Sequence, residues 1–220
     1  MNQEEYEYFV NGQQRFGAPF VLDQMLRSRI IYNAILVENG IERIIVTHFC
    51  RETDRQALFA SLIFREGQVT FSRKTVILEK LLKSAYPDLH QQCKWVLNKI
   101  DEIREIRNDF AHSQTAVPIE EAVKQAQGKP VDGITLTSLK EGEEVHKTIS
   151  TKEALGYMDK ALVLTLFLSR LHSEIEHRIS TDETGNFNAE YVISRLNTKY
   201  RYACLEKPKK NPNKKTTRRT

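Results

Sequence analysis

The sequence predicts an all-α protein, a helical bundle of four or five main helices with a β-hairpin insertion. Apolar residues recur at spacings of three and four over most of the chain, which is the period of a buried helical stripe. A capping box, Ser150 to Glu153, opens the most apolar stretch. Two short segments between 134 and 149 instead alternate apolar and polar residues, which predicts the hairpin.

Composition limits the chain to one domain with additions. Its 220 residues and its hydrophobic content of 40% are typical of a single folded domain. The longest apolar run, Ala161–Leu168, is too short to span a bilayer, so we expect no membrane partner. Three scattered cysteines predict free thiols in a reducing compartment and hence a cytoplasmic protein. No pair of ligand residues has metal-binding spacing, so neither a metal nor another cofactor is expected.

The positive charge of the chain is concentrated at its end. Residues 206–220 hold seven lysines and arginines against one glutamate, a net charge of +6, which leaves −2 for residues 1–205 out of the total of +4. Rich in Pro, Asn and Thr, this segment is predicted to be a basic disordered tail. It either adds affinity for RNA or DNA by neutralising phosphates or only keeps the chain in solution. Residues 1–18 are predicted as an irregular N-terminal arm, and 19–205 as the helical domain.

The first helix is predicted to begin at Pro19 or Phe20, because proline suits a first helical turn. Asn39-Gly40 either ends this helix or only bends it, since the helical rhythm resumes as far as Phe49. A charged break follows.

The next segments are less uniform. Thr53 or Asp54 is predicted to cap a new element, but Leu58–Phe64 is ambiguous between a short helix and a strand. Ser72 is predicted to cap a helix that runs to Lys83.

A second pattern begins after residue 112. Within a predicted insertion, residues 113–149, Ile119–Gln127 suggests one short helix, and Ile134–Leu139 and Val145–Ile149 form the hairpin. The insertion is either a lid or partner-docking element, or decoration that covers core surface. The capping box then opens a helix to Ile179 that is hydrophobic nearly all round, which predicts a central place in a bundle or a dimer seal. A final short helix is predicted over Ala189–Leu196.

The stretch Ile100–His112 combines a buried stripe with polar residues. It closes a helix that starts near Asp88 or Leu89 and carries Trp95 as a core residue. Arg107 falls by spacing in the apolar stripe, where a guanidinium needs a partner. On an ideal helix Arg107 and His112 lie about 140° apart, whereas residues four apart share a face. Either the helix loosens before His112, or a second copy of the chain completes the pair.

Arginine and histidine together suit one kind of chemistry. Histidine moves protons near neutral pH, and arginine presents a permanently charged fork that fits phosphate. With His112 as general acid or base and Arg107 on the phosphoryl oxygens, the pair would cleave a phosphodiester without a metal. The alternative is structural: Arg107 pairs with a buried acid or a carbonyl, and His112 favours the helix C-terminus through the dipole.

The hexapeptide Arg107-Asn108-Asp109-Phe110-Ala111-His112, after the apolar helix Cys93–Ile106, resembles the Arg-x4-His signature of the HEPN superfamily. The upstream segment Phe71–Leu82 is similar to the helix that precedes the motif in that family. The resemblance covers roughly Val21–Arg178. One departure is Gln114, at a position where a toxin subgroup has a tyrosine that a partner enzyme modifies.

The resemblance implies a small all-α homodimer that cuts single-stranded or looped RNA without a metal, at a composite site shared by two copies. The implied catalytic residues are Arg107, His112 and Asn108, the last as an orienting hydrogen-bonder. It implies a role in toxin–antitoxin systems, phage defence or stress regulation, with an antitoxin or regulatory protein as a partner. Some members have no demonstrated nuclease activity, so a catalytically silent dimeric regulatory or protein-binding module is the alternative.

Overall fold

The computed structural model describes residues 18–64, 69–116, 123, 127, 133–140, 143–181, 183, 185–198 and 205. This part of the chain forms six helices and one three-stranded sheet. The elements are α1 Ala18–Phe49, α2 Thr53–Phe64, α3 Phe71–Ala85, α4 Pro87–His112, β1 Gln114–Ala116, β2 Gly133–Lys140, β3 Glu143–Ser150, α5 Thr151–Thr181 and α6 Ala189–Asn197. The prediction of a mainly helical protein with a hairpin is confirmed at this level. The predicted arm and tail lie outside the described residues, apart from Ala18.

Two long helices, α1 and α5, form the centre of the bundle. α1 runs without interruption through Gly40 to Phe49, so the predicted alternative of a helix end at Asn39-Gly40 is wrong. A side chain at position 40 would meet Leu168 of α5, since an ideal Cβ lies 3.2 Å from the Leu168 Cβ atom. Glycine therefore serves close helix packing here. The middle of α5 is mostly buried: Val163, Leu164, Phe167 and Leu168 belong to the core, whereas Leu162, Thr165 and Leu166 are partly exposed.

The helix starts differ from the predictions by small steps. α3 is capped by Thr70, whose Oγ1 accepts from the Arg73 N–H at 3.3 Å, and not by Ser72. α4 begins at Pro87, one or two residues earlier than predicted. The ambiguous stretch Leu58–Phe64 is helical and belongs to α2. Local spacing thus identified helices better than it identified their first residues.

The predicted hairpin is present and is larger than predicted. β2 pairs antiparallel with β3, with Ile134 opposite Ile149. β1, directly after His112, adds a third antiparallel strand that the sequence did not predict, because three residues are too few to show alternation. The inner face of the sheet packs on the end of α4 in a second hydrophobic core that contains Ile106, Phe110, Ile134, Leu136 and Ile149. The predicted helix over Ile119–Gln127 falls mostly outside the described residues.

The last third of the chain follows its predicted pattern. The capping box is confirmed, since the Ser150 N–H donates to Glu153 Oε2 at 2.9 Å and the Glu153 N–H to Ser150 Oγ at 3.2 Å. α5 and α6 extend one or two residues beyond their predicted ends. Trp95 is buried as predicted. In the described segments, no helix combines the length and the apolarity needed to cross a membrane.

Candidate functional site

α4 stays helical through His112. Its C-cap is Ser113, whose N–H donates to the Asp109 carbonyl at 3.0 Å, the i−4 bond of a regular α-helix. The helix therefore does not loosen before His112, and the first of the two predicted alternatives is wrong. At 100° per residue, Arg107 and His112 leave the helix on flanks about 140° apart.

Arg107 is half-buried at the edge of the apolar stripe that contains Ile103 and Phe110. Its Nη1 donates to Oδ1 of Asn108 at 3.0 Å. The nearby carboxylates have other partners, since Asp101 binds Arg104 at 3.2 Å and Asp109 binds Lys147 at 2.6 Å. The buried acid expected of a purely structural Arg107 is not found among the residues that the structure describes. The hydrogen-bond partner of its guanidinium group is thus a neutral amide.

Asn108 and His112 line one cleft, as their spacing of four predicts. The cleft encloses about 1030 Å³ between α4, the sheet and the start of α5. His112 is exposed in it. The cleft is also lined by Glu102, Glu105, Asp109, Glu144, Lys147, Tyr157 and Lys160, but not by Arg107. The cleft therefore contains the proton-transfer candidate without the predicted phosphate clamp of the same chain.

The cleft has an excess of negative charge. Four carboxylates and two lysines line it, a net charge of −2 with His112 neutral. Both lysines already have acidic neighbours, because Lys147 contacts Asp109 at 2.6 Å and Lys160 lies 3.9 Å from Glu102. The Lys160 ammonium also lies 5.5 Å from the ring centre of Tyr157. A single copy of the cleft consequently disfavours a polyanion and favours a cationic ligand.

Two contacts between distant segments hold the end of α4 in place. Lys147 joins β3 to α4 through Asp109. Arg27 of α1 donates through Nη1 to the Ser113 carbonyl at 3.2 Å, and through Nη2 to Thr115 Oγ1 at 2.9 Å and to Asp23 Oδ1 at 3.1 Å. The sequence analysis missed Arg27, although the spacing of Asp23 and Arg27, four apart on one helix, was a usable signal. Lys147, Tyr157 and Lys160 gave no comparable signal.

A second polar cluster lies away from this cleft, between α1 and α5. Buried His172 hydrogen-bonds through Nε2 to Thr47 Oγ1 at 2.9 Å, and its Nδ1 lies 3.3 Å from Glu176 Oε2. Burial lowers the pKa of His172, against the opposing effect of Glu176. Thr47 is itself buried, so the bond between Thr47 and His172 is an internal contact of α1 with α5, and only the Glu176 side chain reaches solvent. Within the described ranges no three His, Cys, Asp or Glu side chains are grouped so as to hold a metal ion.

Comparison with protein-family models, with curated proteins and with solved structures finds no match for this chain. The site itself combines an exposed histidine, an amide that accepts from an arginine, and an acidic cleft.

Proposed function

We propose that this chain is a HEPN-type, metal-independent endoribonuclease whose active site is completed by a second copy. The continuous helix through His112 is the observation that carries the proposal. It places Arg107 and His112 of one chain on different flanks of the helix, yet both side chains can still contact a substrate. Asn108 stands between them, since it lines the cleft and accepts from the Arg107 guanidinium.

The proposed reaction is attack of a ribose 2′-hydroxyl on the adjacent phosphorus. The new bond joins O2′ to phosphorus, the bond from phosphorus to O5′ breaks, and the products are a 2′,3′-cyclic phosphate and a 5′-hydroxyl. His112 takes the proton from O2′ or supplies one to O5′. Arg107 of the facing copy stabilises the charge on the phosphoryl oxygens, and Asn108 holds that guanidinium in place. In this scheme each site combines the His112 of one copy with the Arg107 of the other, and water makes the second proton transfer.

The net negative charge of the cleft favours a second candidate. A surface with four carboxylates and two already paired lysines suits a basic protein segment better than RNA. On that basis the alternative is a catalytically silent, HEPN-like dimeric module that binds a regulatory protein. The two candidates share the fold and differ in whether His112 carries chemistry.

The experiment is cleavage of a broad set of RNAs in EDTA by wild type and four variants. His112→Ala should abolish cleavage, and Arg107→Ala should lower the rate about a hundredfold, because a lost transition-state charge contact costs about 3 kcal/mol. The matched controls are His177→Ala, at an exposed histidine of α5, and Arg104→Ala, one turn before Arg107 on α4. Both controls should cleave like wild type.

Thermal melts of the same variants separate function from structure. His112→Ala and Arg107→Ala should melt close to wild type, since His112 is exposed and Arg107 has only an amide partner among the described residues. A large fall in the melting temperature of Arg107→Ala would assign it a structural role. If wild type cleaves none of the RNAs, or if the His112 variant cleaves as fast, the silent module replaces the nuclease.

A further inference from the structure

A groove between α5 and α6 carries positive charge, in contrast to the acidic cleft, with which it shares no lining residue. It encloses about 600 Å³ and is here called the basic groove (Arg170, Tyr191, Arg195). Arg170 comes from α5, and Tyr191 and Arg195 come from α6. Both arginines are exposed. Two cations from different elements thus face one concave surface.

The charge of these two arginines is not neutralised within the groove. Among its described lining residues the only carboxylate is Glu174, four residues after Arg170 and so at ion-pair spacing. Glu174 instead accepts from Arg178 Nε at 2.7 Å and from the Gly185 N–H at 3.1 Å. In the described part of the chain neither Arg170 nor Arg195 has an acidic partner. An exposed guanidinium in this state can contact a phosphate with its planar fork.

An exposed aromatic ring lies next to these cations. Tyr191 is 64% exposed, and it stands one turn before Arg195 on α6, where residues four apart are neighbours. The lining beside it is apolar and includes Phe187, whose ring packs edge-on against Phe167 at 5.8 Å between centroids. Aromatic rings next to arginines are what sequence-tolerant binders of single strands use, the rings for bases and the cations for phosphates.

The position of the basic groove complements that of the cleft. Lys160 in the cleft and Arg170 in the groove are ten residues apart on α5, which corresponds to about 15 Å along the axis and about 80° around it. The cleft has a net charge of −2 with His112 neutral and so contributes little affinity for a polyanion. A basic groove at this distance supplies that affinity without occupying the cleft.

We propose that the basic groove is a second binding site for single-stranded RNA, separate from the site of cleavage. Arg170 and Arg195 contact phosphates, and an unpaired base stacks on Tyr191. Asn186, exposed in the same groove, presents an amide to the base or the ribose. Double-stranded RNA does not fit this mode, because its bases are already stacked and paired. The choice of RNA as the ligand rests on the proposed function, whereas binding to the groove is measured without cleavage.

The test is fluorescence anisotropy of a labelled single-stranded RNA of about 12 nucleotides, a length within the range that single-strand binding sites cover. The full chain carries His112→Ala as the parent substitution, so that the RNA stays intact. Adding Arg170→Gln and Arg195→Gln should weaken binding about tenfold at low salt. It should also lower the slope of log K against log salt by about 1.4, because each phosphate contact of a single strand contributes about 0.7.

Two substitutions of Tyr191 separate stacking from charge. Tyr191→Ala should weaken binding about tenfold without changing the salt slope, since a stacked base contributes affinity but no counterion release. Tyr191→Phe should bind like the parent, because its ring is sufficient for stacking. Equal losses in both variants would assign the effect to the hydroxyl and overturn the stacking role.

The control is Arg51→Gln with Arg73→Gln in the same parent, which makes the same charge change at exposed positions outside the groove and the cleft. It should bind RNA like the parent. Equal weakening by the two double variants would show a general charge effect and overturn the proposal. A duplex that binds as tightly as the single strand, or an excess of adenosine monophosphate that displaces the RNA completely, would assign the groove to another ligand and also overturn it.

Cleavage and binding fail separately. If wild type cleaves RNA but the groove variants bind it like the parent, this proposal is wrong and the nuclease stands. If wild type cleaves nothing but RNA binding depends on Arg170, Tyr191 and Arg195, the nuclease is wrong and the groove is an RNA-binding site of a silent module.

Discussion

Single side chains in this protein show how charge is handled at different depths. The imidazole of His112 is exposed to solvent, and the guanidinium of Arg107 donates to the side-chain amide of Asn108. In contrast, the side chain of Lys74 in α3 is only 5% exposed and lies between Glu38 and Glu42 of α1. Burial alone lowers the pKa of Lys74, but the hydrogen bonds to both glutamates outweigh it and raise that pKa. The ion cluster joins α1 to α3. The periodicity of the sequence could not predict this cluster, because a lysine is assigned to the surface at whichever position of the pattern it stands.

Lys74→Met should destabilise the protein by about 3 kcal/mol, because it leaves two partly buried carboxylates without their cation. The raised pKa means that the contribution is complete below the unfolded value of about 10.5 and is lost as pH rises through the folded value. Chemical denaturation at pH 7 measures the loss. Lys80→Met, on the exposed face of the same helix, is the control and should change stability by less than about 0.5 kcal/mol. Equal stability of the two variants would contradict a buried ion cluster.

At the scale of helices and strands, sequence spacing carried most of the fold. It located the buried stripes of α1, α4 and α5 and the Ser150–Glu153 cap, because these depend on residues close in sequence. It missed β1, which forms only by pairing with β2. It placed Asn108 and His112 on one face, but the walls of the cleft come from β2, β3 and α5, whose approach depends on tertiary packing. Contacts over long sequence distance leave no periodic trace.

One such contact fixes the start of α4 to the end of α5. Arg178, 9% exposed, donates to both carboxylate oxygens of Asp88 at 2.9 and 2.8 Å and to Glu174 at 2.7 Å. The hydrogen bonds from Arg178 hold the pKa of Asp88 below its usual range. A carboxylate with a lowered pKa stabilises the fold above its unfolded value of about 3.9, and the effect is lost as pH falls through the folded value.

Asp88→Asn should therefore cost about 1 kcal/mol at pH 7, since the carboxylate is half exposed. In melts at decreasing pH, the difference from wild type should shrink as pH falls below the unfolded value of about 3.9 and through the lowered folded value. Asp54→Asn, an exposed acid in the first turn of α2, serves as the matched substitution and should not show this pattern. A deficit of Asp88→Asn that stays constant from pH 7 to pH 2 would mean that packing, and not the ion pair, connects the two helices.

At the scale of the whole molecule, the proposed nuclease depends on symmetry. A straight α4 cannot bring Arg107 and His112 of one chain onto one flank, but a two-fold axis near the ends of two α4 helices would place Arg107 of each copy opposite the His112 of the other. Light scattering at micromolar concentration should then give twice the chain mass. A monomer would remove the composite site.

Mixing two impaired variants tests that geometry directly. Alone, Arg107→Ala should cleave RNA at about a hundredth of the wild-type rate and His112→Ala should not cleave it. After exchange of subunits the mixture should recover about a quarter of wild-type activity, because half of the dimers are mixed and each holds one complete pair. The control is wild type mixed with the double variant Arg107→Ala, His112→Ala, because a mixed dimer of these chains has no complete Arg107–His112 pair across its interface. Mass measured on the same samples shows whether the subunits exchanged. If exchange is complete and the mixture of the two single variants stays impaired while wild type cleaves, Arg107 and His112 act within one chain, and α4 must unwind at its end to let them meet.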